Sequence, residues 1–229
     1  MTLSSILYPL VTKIEKVGPF EFEITCIRDL DEAIDILCKH IGKDQDLFSE
    51  DQCPYYGMIW PSGRALAKTL AEMPKLSGNI LEIGAGMALP SLVLNKMGAI
   101  VTTSDFHPDV ALFFEDNCRR NGLASNYLRL NWLQPSLALL NSFDVVLGSD
   151  ILYEGRHARD VALALNALVK PEGSIWIADP GRSYLQAFLD EMKKLNWAEE
   201  LTSAQDLDQD IFILKFTRSM PSPTKDHST

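Results

Sequence analysis

The sequence predicts an α/β fold in which helices cover a mostly parallel, twisted seven-stranded sheet, with an antiparallel C-terminal strand and a small N-terminal extension. Three observations lead there. In the central part of the chain, short β-branched or aliphatic runs alternate with longer helical patterns, the signature of a parallel sheet wrapped by helices. A Gly84-Ala85-Gly86 turn stands where the first of those runs gives way to a helix. The last two runs are joined by a polar, acidic connection with no helix long enough for a crossover, so that pair should be antiparallel.

The elements follow in order. Phe20–Ile27 alternates like a strand, Leu30–His40 is a helix opened by Asp29, and Cys53-Pro54-Tyr55-Tyr56 is irregular. Ile80–Ile83 is a buried strand, followed by the glycine turn and an apolar helix to about Met97. Ile100–Ser104 is the next strand, ending at Asp105. Pro108 then suits the first turn of a helix that runs to about Asn121 and stops at Gly122. Tyr127–Leu130 is a third strand, and Phe143–Gly148 a fourth, apolar enough for burial on both faces. A helix over Ala158–Val169 stops at Pro171 and Gly173, Ser174–Ala178 is a fifth strand, and Tyr184–Leu195 is another helix. Trp197–Thr202 and Ile211–Thr217 are the antiparallel pair. The expected division is an N-terminal extension over 1–54 packed on the core, the α/β domain over 55–218, and a flexible tail over 219–229.

Composition narrows the function. The 229 residues, 46% hydrophobic and 23% charged, fit one globular domain with an appended element and exclude global disorder. The formal net charge of -10, without a basic stripe, argues against nucleic acid. The four cysteines form no CxxC pair and lie far from the four histidines, so neither a metal site nor a disulfide framework is expected. No basic leader, cleavage pattern or membrane-length apolar run is evident, and a soluble protein of the reducing cytoplasm, with no membrane association, is expected.

Leu81–Gly86 places glycines at a strand-to-helix junction, where the backbone can approach a ligand and the helix N-terminus offers free N–H groups. Asp105, 19 residues beyond Gly86, can accept both hydroxyls of an adenosine ribose. A bare packing role for the glycines is the alternative. The third glycine of a dinucleotide fingerprint is replaced by Leu89, and Glu82 adds an anionic group suited to a cofactor with ammonium and sulfonium charges. Both details favour S-adenosylmethionine over NAD.

The run LEIGAGMALP at Leu81–Pro90, with Asp105, Asn131-Trp132 and Gly148–Tyr153, resembles the seven-β-strand protein-lysine methyltransferases, a Rossmann-like class I family. Trp60-Pro61 with Leu66-Ala67 matches that family's Trp-Pro element. Tyr55-Tyr56 through Leu66, plus Asp179–Arg182, is similar to the electron-transfer flavoprotein β-subunit lysine methyltransferase branch. The resemblance implies that Trp60, Gly84, Ala85, Gly86, Asp105, Trp132 and Ser149 line the cofactor site, and that Asp150 and Tyr153 form the substrate-lysine site. Two departures stand out: Asn131 occupies a position often Asp, so a contact to the adenine amino group would use its amide oxygen, and Ala88 replaces a common glycine.

The chemistry asks for little more. Methyl transfer needs a neutral amine, whereas free lysine has a pKa of about 10.4. Asp150 could orient the incoming ammonium while desolvation against Tyr153 promotes proton loss, and a helical turn starting at Asp150 would put both side chains on one face. The plainer roles are a helix N-cap for Asp150 and packing for Tyr153. Arg182 could pair with Asp150 or a substrate carboxylate, or sit at the surface; Trp60 could stack beside the donor or anchor the extension; Tyr55 and Tyr56 are candidates for the channel mouth, and His107 is a loop residue. The implied activity is transfer of a methyl group to a lysine side chain of a protein, with the electron-transfer flavoprotein β-subunit as a candidate partner. A small-molecule N-methyltransferase and a catalytically silent S-adenosylmethionine-binding regulatory module are the alternatives. Residues 1–54 carry 5 basic and 11 acidic groups and 186–210 carry 2 and 7, so a near-neutral centre has acidic flanks that could steer a lysine-rich surface or simply be solvated faces.

Overall fold

The computed structural model describes residues 3–41, 53–206 and 208–218. Seven strands make the central sheet: β3 (Asn79–Ile83), β4 (Ile100–Asp105), β5 (Tyr127–Arg129), β6 (Phe143–Ser149), β7 (Val169–Asp179), β8 (Trp197–Asp206) and β9 (Gln209–Arg218). They lie in the order β5-β4-β3-β6-β7-β9-β8. β3 is parallel to β4 and β6, β4 to β5, and β6 to β7, while β9 is antiparallel to both β7 and β8. The chain leaves β3 toward one edge and returns at β6 toward the other. That reversal opens a crevice at the carboxyl ends of β3 and β6.

Strand alternation builds two cores. Ile80, Val145 and Leu147 face one side, with Leu66 and Leu70 of α2 (Pro61–Glu72), Leu92 of α3 (Leu89–Lys96) and Phe113 of α4 (Val110–Arg120). Leu81, Ile83 and Val146 face the other, with Val161 and Leu165 of α5 (His157–Leu168) and Phe188 of α6 (Leu185–Lys194). Each fully buried aliphatic or aromatic side chain contributes about 1.5–3 kcal/mol.

The N-terminal segment carries β1 (Leu10–Val17), which the sequence pattern did not reveal, paired antiparallel with β2 (Phe20–Ile27), and then α1 (Leu30–Ile41). Asp29 caps α1 as its sequence position suggests, its Oδ1 accepting the Glu32 N–H at 2.8 Å. The free edge of β2 is satisfied by side chains. Asn117 of α4 and Asn121, the residue that caps its C-terminus, each accept one β2 N–H (Thr25 and Glu23, at 2.8 and 2.9 Å) and donate to the same residue's carbonyl. Arg64 of α2 also bridges Glu15 of β1 (2.5 Å) and Asp206 of β8 (2.7 Å).

Several expectations need correction. Helix α2 was unforeseen, because Trp60 at its N-cap supplies no capping side chain and only Pro61 marks its start. β7 begins at Val169, not Ser174: Phe143 pairs with Val169 and Val145 with Ser174, so the Pro171–Gly173 stretch is taken up by a shift in register. The polar link before β9 is largely strand, since β8 runs to Asp206. Residues 54–57 form a short 3₁₀ turn. The expected tail at 219–229 and part of the acidic N-terminal flank, 42–52, lie outside the described residues. No described helix is long and apolar enough to cross a membrane.

Candidate active site

At the crevice the chain leaves β3 through Gly84, Ala85 and Gly86. Gly84 and Gly86 take φ of +57° and +50°, conformations that favour glycine. A Cβ on Gly86 would meet the Tyr56 carbonyl oxygen at 3.1 Å, and one on Gly84 would meet Ile151 and Trp132 side-chain atoms at 2.7 and 3.1 Å. The turn is thus pressed between the Pro54–Gly57 segment on one side and the β6 exit on the other. Ala88 adopts φ +56° at the N-cap of α3, a position where glycine would be unstrained.

Asp105, at the end of β4, fixes the turn. Its Oδ2 accepts the Gly86 N–H and its Oδ1 the His107 N–H, both at 2.9 Å. Burial pushes its carboxyl up, against the pull of these amides. Tyr56 stacks on His107 with ring centres 3.8 Å apart, and its hydroxyl donates to Asp109 at 2.9 Å. Tyr56 and His107 are therefore part of the site. The sequence points to Tyr56, with Tyr55, as a channel-mouth candidate, and both line the cleft; His107 is expected there only as a loop residue.

These groups line one cleft of about 500 Å³, a volume suited to a cofactor. Trp60, Gly84, Ala85, Gly86, Asp105, Asn131, Trp132, Ser149, Asp150 and Tyr153 all reach it. So do Met58, Met87, Arg156, His157 and Arg182, of which only Arg182 had been singled out. Asn131 uses its amide oxygen to accept the Leu133 N–H at 3.0 Å, a local turn that orients the amide.

Glu82 is the exception and a correction. Strand alternation turns it with Ile80 toward α3, where it is fully buried outside the cleft lining, and its Oε2 accepts from both the N–H and the hydroxyl of Ser91. Burial pushes its carboxyl up to about 8, so at neutral pH it carries little charge for a cationic ligand.

At the β6 exit, Asp150 takes φ +57° and donates its N–H to Ala178 at 3.0 Å. It neither caps a helix nor begins a helical turn, since α5 starts at His157. Asp150 Oδ1 accepts from Arg182 Nη2 at 2.5 Å, which resolves the Arg182 alternatives in favour of the pair. Tyr153, 39% exposed, stands edge-on to the buried His157 ring at 4.6 Å, and His157 in turn meets Trp132 edge-on at 5.6 Å.

The doubly wound sheet, with a cleft at the switch between β3 and β6, is the fold of solved S-adenosylmethionine-dependent methyltransferases. Solved structures of the same fold include a TehB-like enzyme of that class from Corynebacterium glutamicum (TM-score 0.54, 13% identity, 68% of this chain and 88% of that one). Another is an S-adenosylmethionine-dependent methyltransferase from Methanosarcina mazei (TM-score 0.55, 13% identity, 65% and 95%). The particular family follows from sequence: the lysine methyltransferase model matches residues 44–195, and the chain belongs to that family. Its relatives include histone-arginine methyltransferase METTL23 of Xenopus laevis, 32% identical over 57% of this chain and 60% of that protein. The electron transfer flavoprotein beta subunit lysine methyltransferase of Danio rerio is 28% identical over 58% and 52%, and calmodulin-lysine N-methyltransferase of Arabidopsis thaliana 25% over 73% and 60%. The matched stretches span 52–60% of these relatives' lengths.

The residues present fit the methyl donor of this class. The glycine turn brings main chain to the wall of the cleft, and the half-buried Asp105 carboxylate faces the same cleft.

Proposed function

We propose that this chain transfers the methyl group of S-adenosylmethionine to the side-chain nitrogen of a lysine in a protein substrate. The observation that carries the reading is the placement of Asp150 and Tyr153 on the same cleft as the glycine turn and Asp105. Asp105 would accept the ribose hydroxyls. Trp132 and the Asn131 amide would flank the adenine, and Trp60 and Ser149 would border the methionine end. When bound, the cofactor supplies a methyl group made electrophilic by the adjacent sulfonium.

Asp150 would orient the acceptor nitrogen through the carboxylate oxygen that Arg182 does not bind, and Tyr153 would screen that nitrogen from water at the rim. Holding the acceptor in line with the methyl group is where most of the acceleration arises, and no covalent enzyme intermediate is required. The same arrangement explains why the tripeptide Gly84–Gly86 and Asp150 come from adjacent strands: the switch between β3 and β6 brings both ligands' sites within one crevice.

The relatives named above act on an electron-transfer flavoprotein subunit, calmodulin and histone by their names, and these three proteins form the substrate panel. We place the protein in the cytoplasm, a reading supported by its four free thiols, three of them buried. Residues 1–54 are read as an extension, 55–218 as the methyltransferase domain and 219–229 as a flexible tail; the Asn117 and Asn121 bonds to β2 support an extension seated on that domain. The test is incubation with methyl-labelled donor and each panel protein, alongside a cell lysate, for the natural chain and Asp150→Ala. Label in protein, lost in the variant, is expected. Label confined to the low-mass fraction would favour a small-molecule acceptor, and donor binding without transfer a silent module.

A further inference from the structure

Arg182 reaches the acceptor end of the cleft by a route fixed in the main chain. Asp179, buried at the end of β7, accepts the N–H groups of Gly181 and Arg182 on its Oδ1 at 2.8 and 2.7 Å. Gly181 sits at φ +86°, and a Cβ there would strike the Phe212 ring at 2.8 Å. The turn therefore has one shape, and it delivers the guanidinium to Asp150, whose own position is set by its φ of +57° and its bond to Ala178. The Asp150 side chain is 10% exposed in this pair, and Arg182 Nε is buried and makes no hydrogen bond.

A lone carboxylate within about 4–6 Å of an amine stabilises the ammonium form, which has no lone pair and cannot attack. A guanidinium beside that carboxylate cancels most of its field while leaving an oxygen free to accept an N–H. We propose that Arg182 is a positioning residue that balances the Asp150 charge, so that the cleft takes the acceptor as a free amine and not as an ammonium ion. The proposal rests on the reading of Asp150 as the acceptor site. The proton leaves to bulk water before entry. The nitrogen lone pair then forms the bond to the methyl carbon as the carbon–sulfur bond breaks with its electrons on sulfur, giving a methylated ammonium and S-adenosylhomocysteine.

Other charged or titratable groups surround the pair. Asp179 lies behind it, Tyr153, Glu154 and Arg156 precede α5, His157 and Asp160 belong to α5, Tyr184 heads α6, and Asp105 and His107 lie across the cleft. Glu154 accepts from Arg156 at 2.5 Å, and burial holds His157 below the ordinary histidine value, toward the neutral ring. Tyr153 and Tyr184 are the phenols among these neighbours.

The test is binding of n-butylamine, a lysine side-chain mimic, to the protein loaded with S-adenosylhomocysteine, followed by NMR between about pH 7.5 and 9.5, below the amine's pKa of roughly 10.4. Selection of the free amine makes the apparent affinity of the natural chain rise about tenfold per pH unit. In Arg182→Gln the slope should vanish and butylamine should bind more tightly than to the natural chain at the lower pH; Arg182→Lys should restore the slope. Equal S-adenosylhomocysteine affinity in all three proteins certifies the fold. Parallel slopes in the natural chain and Arg182→Gln overturn the proposal while leaving the acceptor site standing. A slope abolished by Tyr153→Phe or Tyr184→Phe also overturns it, by assigning the effect to a phenol. Absence of butylamine binding to a protein that still binds S-adenosylhomocysteine removes the acceptor site itself.

Discussion

Glu82 gives the fold a pH dependence that can be worked out from its surroundings. Its carboxyl is fully buried between β3 and α3 and is pushed up to about 8 from an ordinary 4.5, chiefly by desolvation; the two Ser91 hydrogen bonds pull the other way. A group whose folded-state pKa is raised binds more protons folded than unfolded across that interval, so its ionisation costs stability as pH rises from the lower value to the upper. With about 3.5 units of difference at 1.36 kcal/mol each, the full cost is on the order of 5 kcal/mol. Glu82→Gln keeps the shape and the acceptor for Ser91 but cannot ionise. Urea unfolding monitored by fluorescence should find the variant more stable than the natural chain by about 1 kcal/mol at pH 5 and about 4–5 kcal/mol near pH 8.5. Because Glu82 lies outside the cleft lining, the variant should bind S-adenosylmethionine as the natural chain does. A stability difference that is the same at both pH values, or a loss of cofactor affinity, would refute the burial argument and return Glu82 to the ligand side.

Asp105→Ala should weaken S-adenosylmethionine by at least about 100-fold in calorimetric titration, since two hydrogen bonds to a charged acceptor are lost at about 1.5–3 kcal/mol each. Gly86→Ala should cost about 1–2 kcal/mol of stability from its positive φ and also lower cofactor affinity, read by the same titration, because the new methyl group presses on the Tyr56 carbonyl. Arg64→Met should destabilise the fold by about 3–5 kcal/mol in chemical denaturation by stranding Glu15 and Asp206, and adding Glu15→Gln with Asp206→Asn should recover much of it. Asp31→Asn with Asp35→Asn, which spares the Asp29 cap and the Glu32–Arg28 pair, should raise KM for a basic protein substrate at low salt if the acidic flank steers; an unchanged KM leaves it a solvated face.

The parts of the fold that the sequence displayed are those where burial is two-sided. Ile80–Ile83 of β3 and Phe143–Gly148 of β6 are apolar but for Glu82 and Asp144 because both faces are covered, and α4 ends just before the expected Gly122, although it starts at Val110 behind Asp109 and not at Pro108. β1 was hidden because most of its side chains face solvent, so LVTKIEKV shows little contrast. β8 was cut short at Thr202 for a related reason: Ser203, Gln205 and Asp206 are polar and none is buried, and pairing with β9 alone makes that stretch strand. In the candidate site, the glycine turn and Asp105 were legible because their spacing encodes a strand–turn–helix–strand geometry. Glu82 was misread because proximity in sequence to the turn outweighed the period of two that aims it at α3. Asp150 was expected to start a helix, yet aspartate also tolerates positive φ, and the choice depends on the Ala178 carbonyl and Arg182, which arrive from β7 and its exit loop. Tyr56 and His107 meet only through tertiary stacking across about fifty residues, which no local pattern reports.

The most direct test is to label a panel protein or lysate with S-adenosylmethionine and the purified chain, then locate the added methyl group by peptide mass spectrometry. The account predicts a methyl group on a lysine side-chain nitrogen, absent with Asp105→Ala and Asp150→Ala. A methyl group found on arginine, or on no protein at all while S-adenosylmethionine still binds, would contradict it.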